Sequence, residues 1–345
     1  MKASLAILGA GMVTGVGLSA AASCAAIRCG INNFDETRFM DRQGVWIIGS
    51  QVPLEPAWRG PTRLAKMAAS AISECLDTLS DQSKSDVPVP LVLCLAESDR
   101  PGRLEGLGAP LLFEIEKELS LKFHAESSVL EQGRVGGALA LRRAQALIQQ
   151  GGHPFVIIAG VDTYLTAATL ADFESRNRLL TALNSNGFIA GEGASAVLLA
   201  AVPDRGPAVM VCKALGFARE SATIDSETPL RGDGMVEATR TALAAAAIGL
   251  EDVDYRVSDL SGEEYRFREV ALATNRILRQ RKVGFGILHP ADCVGEIGAA
   301  ALPTMLGVLH YGLRKRYLPG RTFLAHLSND DDKRAAAIVS VQELA

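Results

Sequence analysis

Aromatic residues are scarce in this chain: two Trp, five Tyr and 11 Phe make up 5% of 345 residues. Large rings therefore cannot dominate its core. The 33 glycines, set among many alanines, point instead to backbones packed closely through small side chains. An excess of one charge is lacking too. The 35 Lys and Arg against 39 Asp and Glu leave a net charge of −4, with no basic block for nucleic acid and no acidic tail. The one local charge run, Asp330 to Arg334, reads as a solvated turn. Cys24, Cys29, Cys75, Cys94, Cys212 and Cys293 form no CxxC pair and sit mostly in apolar segments, as free thiols of a reducing compartment do. The five histidines show no metal-ligand spacing, and no metal or cofactor is expected.

Long hydrophobic runs are also missing, except at the start. Ala3 to Ile27 is uncharged behind Lys2, which a signal peptide would also be. Gly9, Gly11, Gly15 and Gly17 interrupt it, however, and no compact leucine-rich stretch follows. A strand (LAILGA), a turn and a helix (GLSAAASCAAIRCG) account for it better, and a cytoplasmic protein without a membrane span is expected. Gly9, Gly11 and Gly15 lie one residue off a dinucleotide fingerprint and lack a clear acidic ribose partner, so they read as a plain strand–helix turn.

Hydrophobic residues make up 48% of the chain, enough for a large α/β core. Short apolar runs alternate with helical patterns: VWIIGSQV before RLAKMAASAISECLDTL, PLVLCLA before LLFEIEKELSL, then GGALALRRAQALIQQGG before PFVIIAGV. After Gly187 to Ala200 the programme restarts. AVMVCKALGF is followed by a helix over GMVEATRTALAAAAIGL that the Gly249 region should close. VDYRVSDLS, a helix over YRFREVALATNRILRQRK, GFGILH, a helix over GEIGAAALPTMLGVLHYGL, and the strands TFLAHLS and AAAIVSV complete it. Two similar halves are expected, residues 1–200 and 201–345.

The stretch GFIAGEGASAVLLA, Gly187 to Ala200, resembles the glycine-rich hairpin of β-ketoacyl synthases, condensing enzymes of the thiolase fold. LAILGAGMVTGVG resembles that family's opening strand and turn, and ALALRRAQALIQQGGHPFVIIAGVDTYL its nucleophile helix and following strand. The resemblance covers nearly the whole chain. It implies a layered α-β-α-β-α core, and a dimer with itself or with another thiolase-fold subunit. It also implies that Phe188 lies near the acyl pocket, that Glu192 is the family's structural glutamate, and that Gly191 and Gly193 shape a tight hairpin.

The chemistry departs from that pattern. A condensing enzyme holds a cysteine thiolate at a helix N-terminus and imidazoles that polarise the incoming donor. Aligned on Ala140–Leu141, the nucleophile position falls at Arg134; the two histidine positions fall at Asp259 and Gly295, and the family's lysine near Pro290. Where the family has a glycine-rich turn after Ser-Asn, Ser328–Asn329 is followed by Asp330, Asp331 and Asp332. Arg134 could bind an anion or pair internally with an acid such as Glu131 or Asp162. In HPADCVGEIG, His289 and Cys293 are weak substitutes for the missing groups, and Pro290 with a capping Asp292 equally suits a loop entering a helix.

Three functions follow from this reading. The first is a catalytically silent, accessory thiolase-fold protein, in a polyketide-type or secretion-associated (type VI) gene cluster, with an acyl carrier protein or a protein client as further partner. The second is an acyltransferase with relocated catalytic groups. The third is an acyl-ligand-binding module that keeps the pocket without turnover.

Overall fold

The computed structural model describes residues 4–80 and 88–345. Lys2 and Ala3, at the head of the apolar N-terminal run, lie outside that range, as does the very start of the expected first half. The run itself forms β1 (Leu5–Thr14) and α1 (Ala20–Arg28). Ser19 caps α1, its Oγ accepting from the Ala22 amide at 3.2 Å.

Then follow β2 (Phe34–Met40), β3 (Trp46–Ser50), α2 (Gly60–Ser80), β4 (Leu91–Leu95), α3 (Ala109–Leu119), β5 (Ser128–Glu131), α4 (Gly133–Gln149), β6 (Phe155–Thr163), α5 (Ala167–Ser175) and β7 (Ala190–Ala201). The second series is β8 (Val209–Arg219), α6 (Asp233–Ala246), β9 (Tyr255–Ser258), α7 (Glu264–Ile277), β10 (Ile287–Leu288), α8 (Ala291–Val294), α9 (Ala301–Arg314), β11 (Thr322–Ser328) and β12 (Lys333–Gln342).

Strand order is β10-β9-β11-β12-β8-β1-β7-β6-β4-β5, so the strands of each series lie side by side. The two sets join where Leu5–Ile7 of β1 pairs antiparallel with Met210–Cys212 of β8. Side chains alternate across each strand as the pleat requires. Leu91, Leu93 and Leu95 of β4 face α2 and α3, whereas Val92 and Cys94 face α4 and α9. In β11 and β12, Phe323, Ala325 and Ala337 meet the same α4–α9 layer, and Leu324, Ala336 and Ile338 face α6. The result is five layers, α-β-α-β-α, of the thiolase type. The central layer is thin because small residues face it: a Cβ on Gly160 of β6 would lie 2.2 Å from the Ala299 carbonyl oxygen.

Several expectations are corrected. Gly187 to Ala200 is not a hairpin: from Ala190 it runs as the single strand β7 between β1 and β6. Its glycines serve close approach rather than turning. A Cβ on Gly191 would lie 2.5 Å from the Val294 carbonyl oxygen, and one on Gly193 would lie 3.0 Å from that of Val13. Ala247, in left-handed conformation at φ 55, closes α6 ahead of Gly249. Asp292 lies inside the four-residue α8 and does not cap it, and α9 starts only at Ala301, after a single 3-10 turn at Gly298–Ala300.

Candidate functional site: a closed ion cluster

Helix α4 begins at Gly133, immediately after β5, so Arg134 stands in its first turn. Asn329 holds that end of the helix: its Oδ1 accepts from the Val135 amide at 3.0 Å and its Nδ2 donates to the Gln132 carbonyl at 3.0 Å. The positive helix end, which favours an anion, meets the Asn329 amide and, at Gly133, the Glu97 carboxyl, whose Oε1 would lie 1.8 Å from a Cβ there.

Arg134 is buried and pairs with Glu296 Oε2 at 2.6 Å and with Asp330 Oδ1 at 2.5 Å. Its Nε lies 4.0 Å from Asp259 Oδ2. Asp330 is shared. Arg178 Nη1 reaches its Oδ2 at 2.6 Å, and Arg266 Nη2 donates to its Oδ1. Arg178 also clasps Glu263 with both Nε (2.6 Å) and Nη2 (2.8 Å), while Arg266 donates to the Ser328 carbonyl at 2.6 Å and to Ser328 Oγ at 2.7 Å. Glu296 is satisfied further by the Gly298 amide at 2.8 Å and the Ser261 hydroxyl at 2.8 Å.

The charges and burial together account for the shifts of Asp330, Glu296 and Asp259. Arg134, Arg178 and Arg266 face Glu263, Glu296, Asp330 and Asp259, and Arg134 also acts on Glu97. Burial would raise the Asp330 carboxyl, but the three guanidiniums hold it well below the usual range. Burial opposes ionisation of Glu296 as well, yet Arg134, Arg266 and its two donors keep its carboxyl low. At Asp259 burial wins, and its carboxyl is pushed up despite Arg134 and Arg266. Burial thus disfavours the charged form of Asp259. Asp259 also accepts from the Ser328 amide at 2.7 Å.

Little space is left beside this cluster. The void between Asp259, Gly295, Glu296 and Met305 measures about 10 Å³, about the least that holds one water. No acyl chain fits it as the side chains stand. A histidine at Gly295 has no room either: φ there is 69, and a Cβ would lie 2.9 Å from the Ile189 carbonyl oxygen.

Of the residues the sequence singled out, the structure brings Arg134 and Asp259 together, with Gly295 beside Glu296. Cys293 stands apart, in the apolar cluster of Met12, Ala20, Cys24 and Ile27, and burial pushes its thiol up. His289 Nδ1 approaches Asp292 Oδ1 at 2.9 Å without the alignment of a hydrogen bond, and its ring packs edge-on against Phe267. Phe188 is buried in a ring cluster, 5.1 Å from Phe173 and 5.6 Å from Tyr164, and does not line the void. Glu192 accepts from Arg63 Nη2 at 2.5 Å and from the Val52 amide at 3.1 Å, at the wall of a separate cleft of about 580 Å³ that Trp58 and Leu104 also line.

Two sequence expectations fail at this site. The Asp330–Arg334 run is not wholly solvated: three arginines converge on Asp330, whose side chain stays 30% exposed, and Arg334 is fully buried against Glu269. Arg134 pairs with neither Glu131 nor Asp162, since Arg103 takes Glu131 and Arg100 takes Asp162 in a two-toothed contact at 2.9 and 2.5 Å. Arg178, Glu263 and Arg266 were invisible as site residues. They come from segments far apart in sequence and match no local motif.

No protein-family model matches the chain. A search of the curated proteins finds no match. Solved structures do match. The AntDE:AntF complex, a type II PKS acyl-carrier protein with its ketosynthase bound to the hexaketide, superposes with a TM-score of 0.81 at 16% identity, covering 98% of this chain and 99% of that one. The ishigamide ketosynthase/chain length factor gives 0.78 at 16%, covering 99% of each chain. The ketosynthase ApeO in complex with its chain length factor ApeC from Xenorhabdus doucetiae gives 0.77 at 14%, covering 99% of this chain and 98% of that one. At these identities the likeness establishes the fold: the chain has the architecture of the ketosynthases, from end to end.

Proposed function

We propose that this protein is a catalytically silent ketosynthase-fold subunit that acts by pairing with a second thiolase-fold chain. The observation that carries this reading is the buried Arg134–Glu296 pair with the half-buried Asp330 beside it, at the position where the resemblance puts the nucleophile. A guanidinium locked between two carboxylates is not a nucleophile, and the remaining void admits no acyl group. The division into halves at residues 200 and 201 belongs to the same reading, as does a homodimer or heterodimer built on this fold. Two of the structural neighbours were solved as ketosynthases with chain length factors, which favours a polyketide-type setting over a secretion-associated one. An acyl carrier protein is then a natural further contact.

The test is turnover with and without a partner. The purified chain, given an acyl-carrier-protein thioester and a malonyl thioester, is expected to release no condensation product. A condensation product formed by the chain alone, and lost in Cys293→Ala, would return the relocated-site acyltransferase to first place.

A further inference from the structure

Away from the ion cluster, two loops meet at the opposite end of β5 and β6. His124 and Glu126 lie in the loop between α3 and β5, and His153 in the loop between α4 and β6. One ligand atom from each of the three lies within 4.8 Å of the other two. His153 Nε2 is 2.5 Å from Glu126 Oε2, and the two imidazole rings stand edge to face with centroids 4.4 Å apart. The Glu126 amide donates to His124 Nδ1 at 3.2 Å, which selects the ring state with a lone pair on that nitrogen.

The loops are anchored rather than loose. Ser127 donates to the His124 carbonyl through its amide at 2.9 Å and its hydroxyl at 2.6 Å, and its Oγ accepts from the Leu91 amide at 3.0 Å. His124 donates its own amide to the Val89 carbonyl, and His153 donates its amide to the Leu147 carbonyl, both at 3.2 Å. One competing cation is near: Arg143 Nη2, 4.0 Å from Glu126 Oε1.

We propose that His124, Glu126 and His153 bind a divalent first-row transition cation of the Zn²⁺ type, completed by water, which ties the two loops together. Two imidazoles and one carboxylate suit such an ion, whereas Mg²⁺ and Ca²⁺ prefer all-oxygen sets. Binding replaces the His153–Glu126 contact, and the ion takes the His124 Nδ1 lone pair in place of the Glu126 amide. The histidine spacing gave no hint of this, because His153 reaches the other two only through the return of α4 along the sheet.

The test uses the tag-free, EDTA-treated full chain in a Cys29→Ser background, which removes the exposed thiol as a rival ligand. Calorimetric titration with Zn²⁺ should show one equivalent bound by the parent. Binding should weaken by at least the ~10–100-fold that loss of a mere supporting partner costs, in both His124→Ala and His153→Ala. Mg²⁺ should not bind. His124→Gln and His153→Gln serve if either alanine variant fails to fold. Absence of stoichiometric Zn²⁺ binding by the parent, undiminished binding in the variants, or Mg²⁺ binding of equal strength would each overturn the proposal.

Discussion

Arg134 and Glu296, 162 residues apart in sequence, meet at 2.6 Å in the interior, both nearly inaccessible to solvent. Two such charges persist there because each has further partners: Asp330 for the arginine, the Gly298 amide and Ser261 hydroxyl for the glutamate. Removing one member strands the others. Arg134→Met should cost about 3–5 kcal/mol in urea-denaturation stability. In the Arg134→Met/Glu296→Leu double variant the loss should fall short of the sum of the single losses by roughly 0.5–3 kcal/mol. Strict additivity would mean that the two side chains do not interact as described.

Two buried histidines set the acid limit. Burial pushes His326 down to about 3 and His310 down to about 4, from an ordinary 6.5. Each is neutral in the folded chain and takes up a proton on unfolding. Their contribution is therefore complete above pH 6.5 and is lost as pH falls from there towards 4 and 3. Each can add up to about 1.4 kcal/mol per pH unit to the slope. His326→Gln should flatten the fall in stability over that window; a slope equal to wild type would contradict the burial of a neutral ring.

Glu97 works in the opposite sense. Burial raises its carboxyl above 4.5 despite Arg100 and Arg134, and its Oε2 has no hydrogen-bond partner. The folded state favours its protonated form. Its ionisation is thus a cost absent below the unfolded value and complete once pH passes the folded one. Glu97→Gln should leave stability near unchanged at about pH 4 and raise it at about pH 8. Chemical denaturation at both values checks this, and an equal destabilisation at each would refute it.

Thiol chemistry gives a simpler reading. Of the six cysteines only Cys29 is exposed, and burial pushes Cys24, Cys94 and Cys212 up to about 12. An aromatic disulfide reagent should titrate one thiol rapidly in the native chain and all six only after unfolding. A second fast thiol assigned to Cys293 would point to the reactive site that the burial of this residue argues against.

Much of the scaffold was legible in the chain. The unbroken apolar run Leu91–Leu95 and the helical spacing of α2 are local signals, and they place a buried strand and its helix correctly. Helix α5 escaped because ATLADFES is short and lacks an apolar stripe. The Gly187–Ala200 stretch reads as a hairpin in sequence and is the single strand β7 in the fold, since glycine serves a close backbone approach as well as it serves a bend. The ion cluster was the least legible part. The resemblance points to Arg134 and Asp259, but the acids around Arg134 come from three separate segments. Asp330 in particular carries the local signature of a solvated run, and only the distant Arg134, Arg178 and Arg266 make it an anchor of the cluster.

The central claim is that the nucleophile's place is closed by Arg134 and its acids. Intact-mass measurement of the native chain, after exposure to acetyl, malonyl and longer acyl thioesters of coenzyme A and of an acyl carrier protein, tests it most directly. The account predicts an unchanged mass, apart from any adduct abolished by Cys29→Ser. An acyl adduct that persists in Cys29→Ser and disappears in Cys293→Ala would contradict it.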